Sequence, residues 1–241
     1  MSSSASSMRS PAALRAAIRL SRPDQVLLIL VVYAVGCAAG AHLSGEVPAT
    51  GDALLVGLTL GFVAVSVHAA NEYADVETDA LTVRTRFSGG SGALLDHGLP
   101  AALAARVAQI SGVAAIATLG AGWLSGRIPG TVAALLVLCL VAGWAYSVGP
   151  WPFSRHGWGE VVNALLGGLL LPTIGALMAA ASLAAALLAF LPFTLLVFVN
   201  LLETQWADRT ADRAAGKHTL ASRLSPVRFD CSAAPRRPPR T

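Results

Sequence analysis

Six long apolar segments constrain this sequence more than any other feature. They cover residues 25–41, 53–73, 99–124, 131–148, 161–180 and 184–203. Each is long enough for a helix to cross the hydrocarbon core of a bilayer. The composition agrees, because 12% of the residues are charged, against about 25% in a typical soluble domain. We therefore predict an all-α membrane protein, a single bundle of six transmembrane helices.

The basic residues predict how these helices are oriented. With six spans, both termini, the 76–98 segment and the 149–160 turn share one side, and cytoplasmic segments carry an excess of Lys and Arg. The opposite loops contribute Arg127, and Arg106 lies within the third span. The predicted cytoplasmic side holds Arg9, Arg15, Arg19, Arg22, Arg84, Arg86, Arg155 and the eight basic residues from Arg209 to Arg240. The net charge of +4 thus follows membrane topology and does not indicate nucleic-acid binding.

The two ends of the chain differ from its apolar centre. Residues 1–10 are Ser-rich, which predicts disorder. From residue 11 to residue 22, arginines share a face opposite Leu and Ile, and this pattern predicts a helix lying in the membrane interface. Residues 225–241 are rich in Pro and Arg and cannot form a membrane helix. We therefore assign the transmembrane domain to residues 11–224. The Ala/Gly/Arg-rich composition favours a prokaryotic plasma membrane.

A polar motif follows the second apolar segment. In Asn71-Glu-Tyr-Ala-Asp75-Val-Glu-Thr-Asp79 the three numbered residues are spaced by four, so on a helix they share one slowly drifting face. Oxygen-bearing side chains at the end of an apolar helix are costly unless they meet water or a cation. Carboxylate and amide oxygens suit Mg²⁺, which usually shares its ligand shell with a phosphate group.

A second acidic motif follows the sixth apolar segment. Asp208 and Asp212 have the same spacing of four, and Gly216 and Lys217 follow closely. Two acidic motifs on the cytoplasmic side, each with cations nearby, predict a diphosphate held by Mg²⁺ between them. The alternative interpretations are a solvated helix end for each motif and, as a different class of protein, a transporter with intramembrane carboxylates.

These motifs and their order resemble the UbiA superfamily of intramembrane prenyltransferases. Asn71-x-x-x-Asp75-x-x-x-Asp79 resembles the first aspartate-rich motif of that family, and Asp208-x-x-x-Asp212 with Gly216-Lys217-x-Thr-Leu resembles the second. The resemblance runs from residue 22 to residue 224. Further landmarks are, in chain order, Arg22-Pro23, Arg84-Thr-Arg-Phe-Ser88-Gly89, Tyr146-Ser-x-Gly-Pro and Gly157-x-Gly159-Glu160.

The resemblance implies a helical bundle around a central cavity that opens sideways to lipid. It also implies Mg²⁺-dependent transfer of a polyprenyl group from its diphosphate to a lipophilic acceptor, often an aromatic ring in quinone biosynthesis such as that of menaquinone. The apolar cavity would exclude water from the cation-like allylic carbon. The implied partners are prenyl diphosphate, the acceptor and the bilayer. The sequence leaves the acceptor, the prenyl length and the oligomeric state open.

The resemblance assigns the metal ligands residue by residue. It implies that Asn71, Asp75 and Asp79 hold one Mg²⁺. A second Mg²⁺ would be held by Asp208 and Asp212. Both sets consist of oxygen donors, as this hard ion requires.

The resemblance also assigns the contacts to the substrate. Arg22, Arg84 and Lys217 would bind diphosphate oxygens as fixed cations. Tyr146 would hydrogen-bond the diphosphate or lie against the allylic cation. The residues expected to act in the chemistry are Asp75, Asp208 and Tyr146.

The sequence departs from the family pattern in two places. The first motif often begins Asn-Asp, whereas here it begins with Asn71 and Glu72; this change keeps the charge and is expected to matter little. The family usually has about nine spans, whereas this sequence shows six. The tail after Leu224 looks like out-of-frame translation, which predicts a truncated chain without spans seven to nine. The alternative function is therefore a non-catalytic remnant of such an enzyme.

Overall fold

The computed structural model describes residues 11–81, 90–207, 209–214 and 216–224. Within these ranges the chain forms helices and no strand. The predicted disorder of residues 1–10 and the tail from residue 225 onward lie outside the described residues. The helices are α1 (Pro11–Leu20), α2 (Pro23–Ser44), α3 (Thr50–Leu81), α4 (Ala102–Leu124), α5 (Gly130–Ser147), α6 (Gly159–Met178), α7 (Leu183–Trp206), α8 (Arg209–Ala214) and α9 (Leu220–Arg223).

The six predicted spans are confirmed as α2 to α7. Six helices in the described residues are long and apolar enough to cross a membrane. One boundary prediction was wrong, because α3 was expected to end near residue 73 and continues to Leu81. No Gly or Pro interrupts residues 71–81, so nothing breaks the helix when its sequence turns polar. The whole first motif therefore lies on one continuous helix.

Helices α2 and α6 approach each other closely through small residues. A Cβ atom at Gly36 would overlap the backbone of Pro172, and one at Gly40 would overlap the backbone of Ala176. Glycines spaced by four let two membrane helices gain close van der Waals contact that larger residues would prevent. Pro172 lies just after a π-helical turn at Leu165–Leu170. Such a turn compensates for the backbone N–H that proline lacks.

The core lies between α2, α3, α5 and α6. Its largest cluster includes Tyr33, Val56, Leu136 and Ile174, each at most 5% exposed. A polar chain also crosses it, because Trp144 Nε1 donates to Ser66 Oγ at 2.9 Å and Ser66 Oγ donates to the Ala108 carbonyl at 2.7 Å. These two bonds tie α5, α3 and α4 together.

The short helix α1 packs on the loop that follows α3. Ala16 and Leu20 are fully buried against a cluster that includes Leu94 and Leu103. Arg19 donates to the Ser91 carbonyl at 2.9 Å and pairs with Asp96 at 3.0 Å. The structure confirms a helix here, and its location in the membrane interface stays a prediction.

Candidate active site

The first acidic motif lies on the last three turns of α3. Asn71 Oδ1 accepts a hydrogen bond from Ser147 Oγ at the end of α5, at 2.7 Å. Asp75 is 8% exposed. Gly90, with a positive φ of 67°, lies directly against the carboxylate of Asp79, where a Cβ atom would overlap Oδ2. The three predicted metal ligands of this motif therefore line one stretch of the same helix, beside neighbouring elements.

An ion pair joins the two motifs. Lys217 Nζ lies 2.7 Å from Asp75 Oδ1, and each residue is 8% exposed. A buried charge is strongly unfavourable unless an opposite charge compensates it. The pair therefore gives each group its compensation, and it brings the segment after α8 against the end of α3.

The second motif is compact around Asp212. This residue, on α8, is 8% exposed, and its backbone carbonyl accepts from the backbone N–H of Lys217 at 2.8 Å. Thr219 Oγ1 donates to Asp212 Oδ2 at the long distance of 3.4 Å. Gly216, with a φ of 70°, makes the turn between α8 and α9. This tight turn brings Lys217 back towards the bundle.

Arg22 and Glu72 form a second ion pair at the same end of the bundle. Glu72 is 3% exposed, and both Nε and Nη2 of Arg22 donate to its Oε1, with Nε at 3.1 Å. Ser91 donates to the same carboxylate twice, from its backbone N–H at 2.6 Å and from its hydroxyl at 2.9 Å. Glu72 therefore joins α3 to the start of α2 and to the loop after the first motif.

The backbone of Arg22 adopts an uncommon conformation. Its φ of 46° lies in the left-handed region that side chains other than Gly rarely occupy. It directly precedes α2, and its carbonyl accepts from the backbone N–H of Gln25 and Val26. Because such a conformation persists only when the surroundings hold it, the bonds to Glu72 identify what holds this residue in place.

Tyr146 lies between the two motifs. It is in the last turn of α5, packs against Gly159, and is close enough to the carboxylates of Asp75 and Asp212 for their charges to act on its hydroxyl. The phenol thus lies where a group bound between the motifs would meet it.

The structure brings most of the predicted site together. The two predicted residues Arg84 and Asp208 lie outside the described residues. The expectation that Glu72, in place of the Asp often found there, keeps the charge and matters little stays a prediction, and the structure adds that this carboxylate pairs with Arg22 and accepts from Ser91. Its position, between two predicted ligands on a helix, was a usable signal. The predicted residues that lie near one another at this end are Arg22, Asn71, Asp75, Asp79, Tyr146, Asp212 and Lys217.

An apolar groove begins beside this charged end. It has a volume of about 630 Å³ and runs between α2 and α3. Val26, one turn beyond Arg22, and Val65, about two turns before Glu72, line its near end. Its other lining residues are almost all apolar or small: Leu30, Tyr33, Ala34, Cys37, Thr50, Ala53, Leu54, Gly57, Leu58, Gly61 and Phe62.

The donor set fits Mg²⁺ in its chemistry. Asn71, Asp75, Asp79 and Asp212 all offer oxygen atoms, and the ammonium of Lys217 already occupies one of them as a cation. Among the described residues no three His, Cys, Asp or Glu side chains converge as a ready metal cage. Mg²⁺ usually binds one or two carboxylates and completes its shell with water and substrate phosphates.

The geometry defines a class of protein: a polytopic membrane protein with two acidic motifs facing each other at one end of a helical bundle. The sequence model of the UbiA prenyltransferase family matches residues 26–229. The chain therefore belongs to the UbiA prenyltransferase family, whose members are prenyltransferases, and it is an integral membrane protein. No curated protein matches the chain at a significant level.

Two solved structures share the fold. A UbiA homologue from Archaeoglobus fulgidus, bound to DMAPP and Mg²⁺, is similar with a TM-score of 0.65 at 21% identity, over 88% of this chain and 69% of the other. A digeranylgeranylglyceryl phosphate synthase is similar with a TM-score of 0.65 at 15% identity, over the same shares of the two chains. The predicted UbiA-type helical bundle is thereby confirmed.

Proposed function

We propose that this protein transfers a polyprenyl group from its diphosphate to a lipophilic acceptor, with Mg²⁺ as cofactor. The observation that carries the proposal is the ion pair between Asp75 and Lys217, in which a carboxylate of the first motif and a cation of the second are buried together. A Mg²⁺–diphosphate unit offers each partner of this pair a new partner. The metal can bind the carboxylate, and a phosphate oxygen can bind the ammonium. The homologue with DMAPP and Mg²⁺ supports the same ligands.

In this proposal the oxygen-bearing residues bind the metal and the cationic residues bind the diphosphate. Asn71, Asp75 and Asp79 on one side, and Asp208 with Asp212 on the other, would hold Mg²⁺. Bound Mg²⁺ would neutralise the diphosphate as it leaves. Lys217, together with Arg22 and Arg84, would hold diphosphate oxygens, while Tyr146 would hydrogen-bond the diphosphate or lie against the allylic cation. The carboxylates would act directly as metal ligands, so they are the first positions to change. The proposed reaction depends most directly on Asp75, Asp208, Lys217 and Tyr146.

The reaction itself balances without a further reactant. The allylic C–O bond breaks and its electron pair leaves with the diphosphate. The acceptor supplies the electron pair of the new bond and releases one proton. The positive charge that develops on the allylic carbon must be kept from water, which would otherwise capture it. The apolar groove between α2 and α3 offers an isoprenoid tail a water-free surface beside the charged end.

We further propose that the acceptor is aromatic, as in quinone biosynthesis, and that both motifs face the cytoplasm of a prokaryotic cell. The distribution of Lys and Arg supports the orientation. Soluble Mg²⁺ and the diphosphate head group would then reach the site from the aqueous side, while the tail and the acceptor reach it from the bilayer.

A reconstitution assay tests this function. The full chain in liposomes, supplied with Mg²⁺ and radiolabelled prenyl diphosphates of several lengths, is offered dihydroxynaphthoate, hydroxybenzoate, homogentisate and a glycerol phosphate lipid. We expect a labelled product with an aromatic acceptor, its loss with EDTA, and its loss in Asp75→Ala. A folded wild-type protein that forms no product with any acceptor would overturn the proposal and favour a non-catalytic remnant.

A transport assay separates the remaining class of function. The same liposomes, loaded with the soluble substrates, measure flux across the bilayer. Flux that does not depend on prenyl diphosphate would favour a transporter. We expect none, because both acidic motifs lie at helix ends, whereas transporter sites typically lie near the midplane on broken helices.

A further inference from the structure

The turn between α5 and α6 contacts both acidic motifs. It contains the 3₁₀ segment Phe153–Arg155 and ends at Glu160 in the first turn of α6. Its sequence offers no metal-ligand or catalytic pattern, and on sequence alone Arg155 and Glu160 read as topology and turn residues. The contacts of Arg155 and Glu160 in the folded chain point to another role.

Three contacts join this turn to the segment after α8. The backbone N–H of His218 donates to the Arg155 carbonyl at 3.0 Å. Arg223 Nη2 donates to the His156 carbonyl at 3.3 Å. Gly157, with a φ of 80°, lies so close that a Cβ atom there would be 2.9 Å from the His218 carbonyl oxygen. The two segments therefore run against each other on both sides of His218, the residue after Lys217.

Glu160 joins the turn to the same segment through its side chain. Its side chain is fully buried, and Oε1 accepts from the backbone N–H of Leu220 at 2.7 Å and of Ala221 at 3.3 Å. No partner for Oε2 is present in the described part of the chain. Hydrogen bonds to a buried carboxylate are about twice as strong as neutral ones. The two hydrogen bonds of Oε1 join the first turn of α6 to the start of α9.

The same turn also holds the first motif. Nη2 of Arg155 donates to the carbonyl of Ala74, at 3.2 Å. Ala74 directly precedes Asp75 on α3. Arg155 thus contacts the first motif with its side chain and the second-motif segment with its backbone. Through these two contacts Arg155 links Ala74, next to Asp75, with His218, next to Lys217.

We propose that Glu160 is a positioning residue, supported by Arg155: through the amides of Leu220 and Ala221 it holds Lys217 and Asp212 at the distance from Asp75 at which both motifs can bind one Mg²⁺–diphosphate unit. This inference rests on the proposed function for its ligand and deepens it. Glu160 itself does not touch the substrate. Its removal leaves every ligand in the chain but loosens one motif relative to the other.

Two variants of Glu160 and one control test this role in the full chain. Glu160→Ala removes both acceptors. Glu160→Gln keeps the shape and one acceptor oxygen for the same two amides. Glu203→Ala removes an exposed carboxylate near the C-terminal end of α7 and serves as the matched control. Each protein is first checked for a single folded species by size exclusion in detergent.

Amide hydrogen exchange measures the contact itself. For Glu160→Ala we expect exchange in peptides covering residues 217–223 to rise at least about tenfold, since bonds to a charged acceptor are lost. Glu160→Gln should raise it far less, and Glu203→Ala should leave it unchanged. Unchanged exchange in folded Glu160→Ala overturns the proposal.

Binding of inorganic pyrophosphate with Mg²⁺ measures the consequence. We expect the Mg²⁺ concentration for half-maximal binding to rise about tenfold in Glu160→Ala, with the lost binding largely recovered in Glu160→Gln. A residue that only stabilised the fold would lower the amount of folded protein and leave this concentration unchanged, and that result would also overturn the role. If Glu160→Ala does not fold, Arg155→Met replaces it. Its side chain contacts Ala74 and not residues 217–223, so the binding readout decides: we expect the Mg²⁺ concentration for half-maximal binding to rise, and an unchanged concentration overturns the proposal.

The two proposals fail in different ways. A wild-type protein that binds Mg²⁺–pyrophosphate but transfers no prenyl group refutes the proposed function and leaves the positioning role testable by exchange and binding. A wild-type protein that transfers a prenyl group while Glu160→Ala keeps the wild-type exchange and Mg²⁺ dependence refutes the positioning role alone. A wild-type protein that does not bind the probe refutes both.

Discussion

The two ends of the bundle carry ion pairs of different kinds. At the motif end, Asp75 and Lys217 lie 2.7 Å apart, with 11% and 10% of their side chains exposed. At the opposite end, Arg127 Nε lies 2.6 Å from Asp52 Oδ1, with 46% and 31% of their side chains exposed. The distances are nearly equal, and the difference lies in how much water surrounds each pair.

This difference separates a functional arrangement from a structural one. An exposed pair gains about 0–1 kcal/mol, because water screens it. A buried pair is a poor source of stability, since desolvation offsets the attraction, but losing one partner leaves the other charge stranded. A chain has little reason to bury such charges for stability alone. The motif end is therefore where a change should affect activity most, and the opposite end is its internal control.

The largest expected effect follows from Asp75→Ala. Its carboxylate is the contact between the motifs, so we expect kcat/KM of prenyl transfer to fall by about 10³-fold, roughly 4 kcal/mol in transition-state stabilisation. Transfer assays in liposomes measure this. Asp52→Ala at the opposite end is the matched control and should keep its activity. Comparable losses in both variants would show that the two ends do not differ as proposed.

Glu72→Ala should follow in size. It strands Arg22 and removes the acceptor of both Ser91 bonds, so we expect the free energy of unfolding to fall by about 3 kcal/mol. Denaturation in detergent, followed by tryptophan fluorescence, measures the loss. Glu72→Asp should keep the charge but shorten the reach to Arg22, with an intermediate effect. Full stability of Glu72→Ala would contradict the role given to this carboxylate.

Lys217→Met sharpens the comparison through the metal. Met keeps the apolar stem of the side chain but leaves Asp75 without its cation, so we expect the metal-free protein to lose about 2 kcal/mol of stability. Added Mg²⁺ should restore a large part of it, because the ion takes over the pairing. Thermal denaturation with and without Mg²⁺ checks this, and equal recovery of stability in Arg127→Met would argue against a specific effect.

The smallest effect belongs to Arg127→Ala. Its pair with Asp52 is exposed, and we expect a loss of less than about 1 kcal/mol and no change in transfer activity. Raising the salt concentration should reduce even this difference, since salt screens exposed charges. A loss as large as that of Glu72→Ala would remove the distinction between the two ends.

Much of the fold was predictable, because the features involved are local. Apolar length predicts a span wherever it occurs, and all six spans were found in the expected order. The spacing of Asn71, Asp75 and Asp79 predicts a shared helix face from helical periodicity alone. The end of α3 was missed because a polar sequence was equated with a loop, although no residue in it breaks a helix.

The sequence named several residues that lie near one another at this end of the bundle, but it did not predict their contacts. The motifs named Asp75 and Lys217, but their pairing depends on how α8 and the following turn fold back on α3. The partners of Glu72 could not be predicted, because Arg22 and Ser91 come from other segments. Glu160 read as an ordinary turn residue until its amide partners in α9 were visible.

The sequence by itself determined six apolar segments long enough to cross a membrane, motifs that resemble those of the intramembrane prenyltransferases, and two clusters of oxygen-bearing side chains. These are properties of composition, periodicity and spacing along one chain. Only the tertiary structure decided which charges meet, how deeply they are buried and which turn holds the two motifs together. The physical reason is that burial and pairing depend on the joint packing of segments far apart in the sequence, and no local pattern encodes that packing.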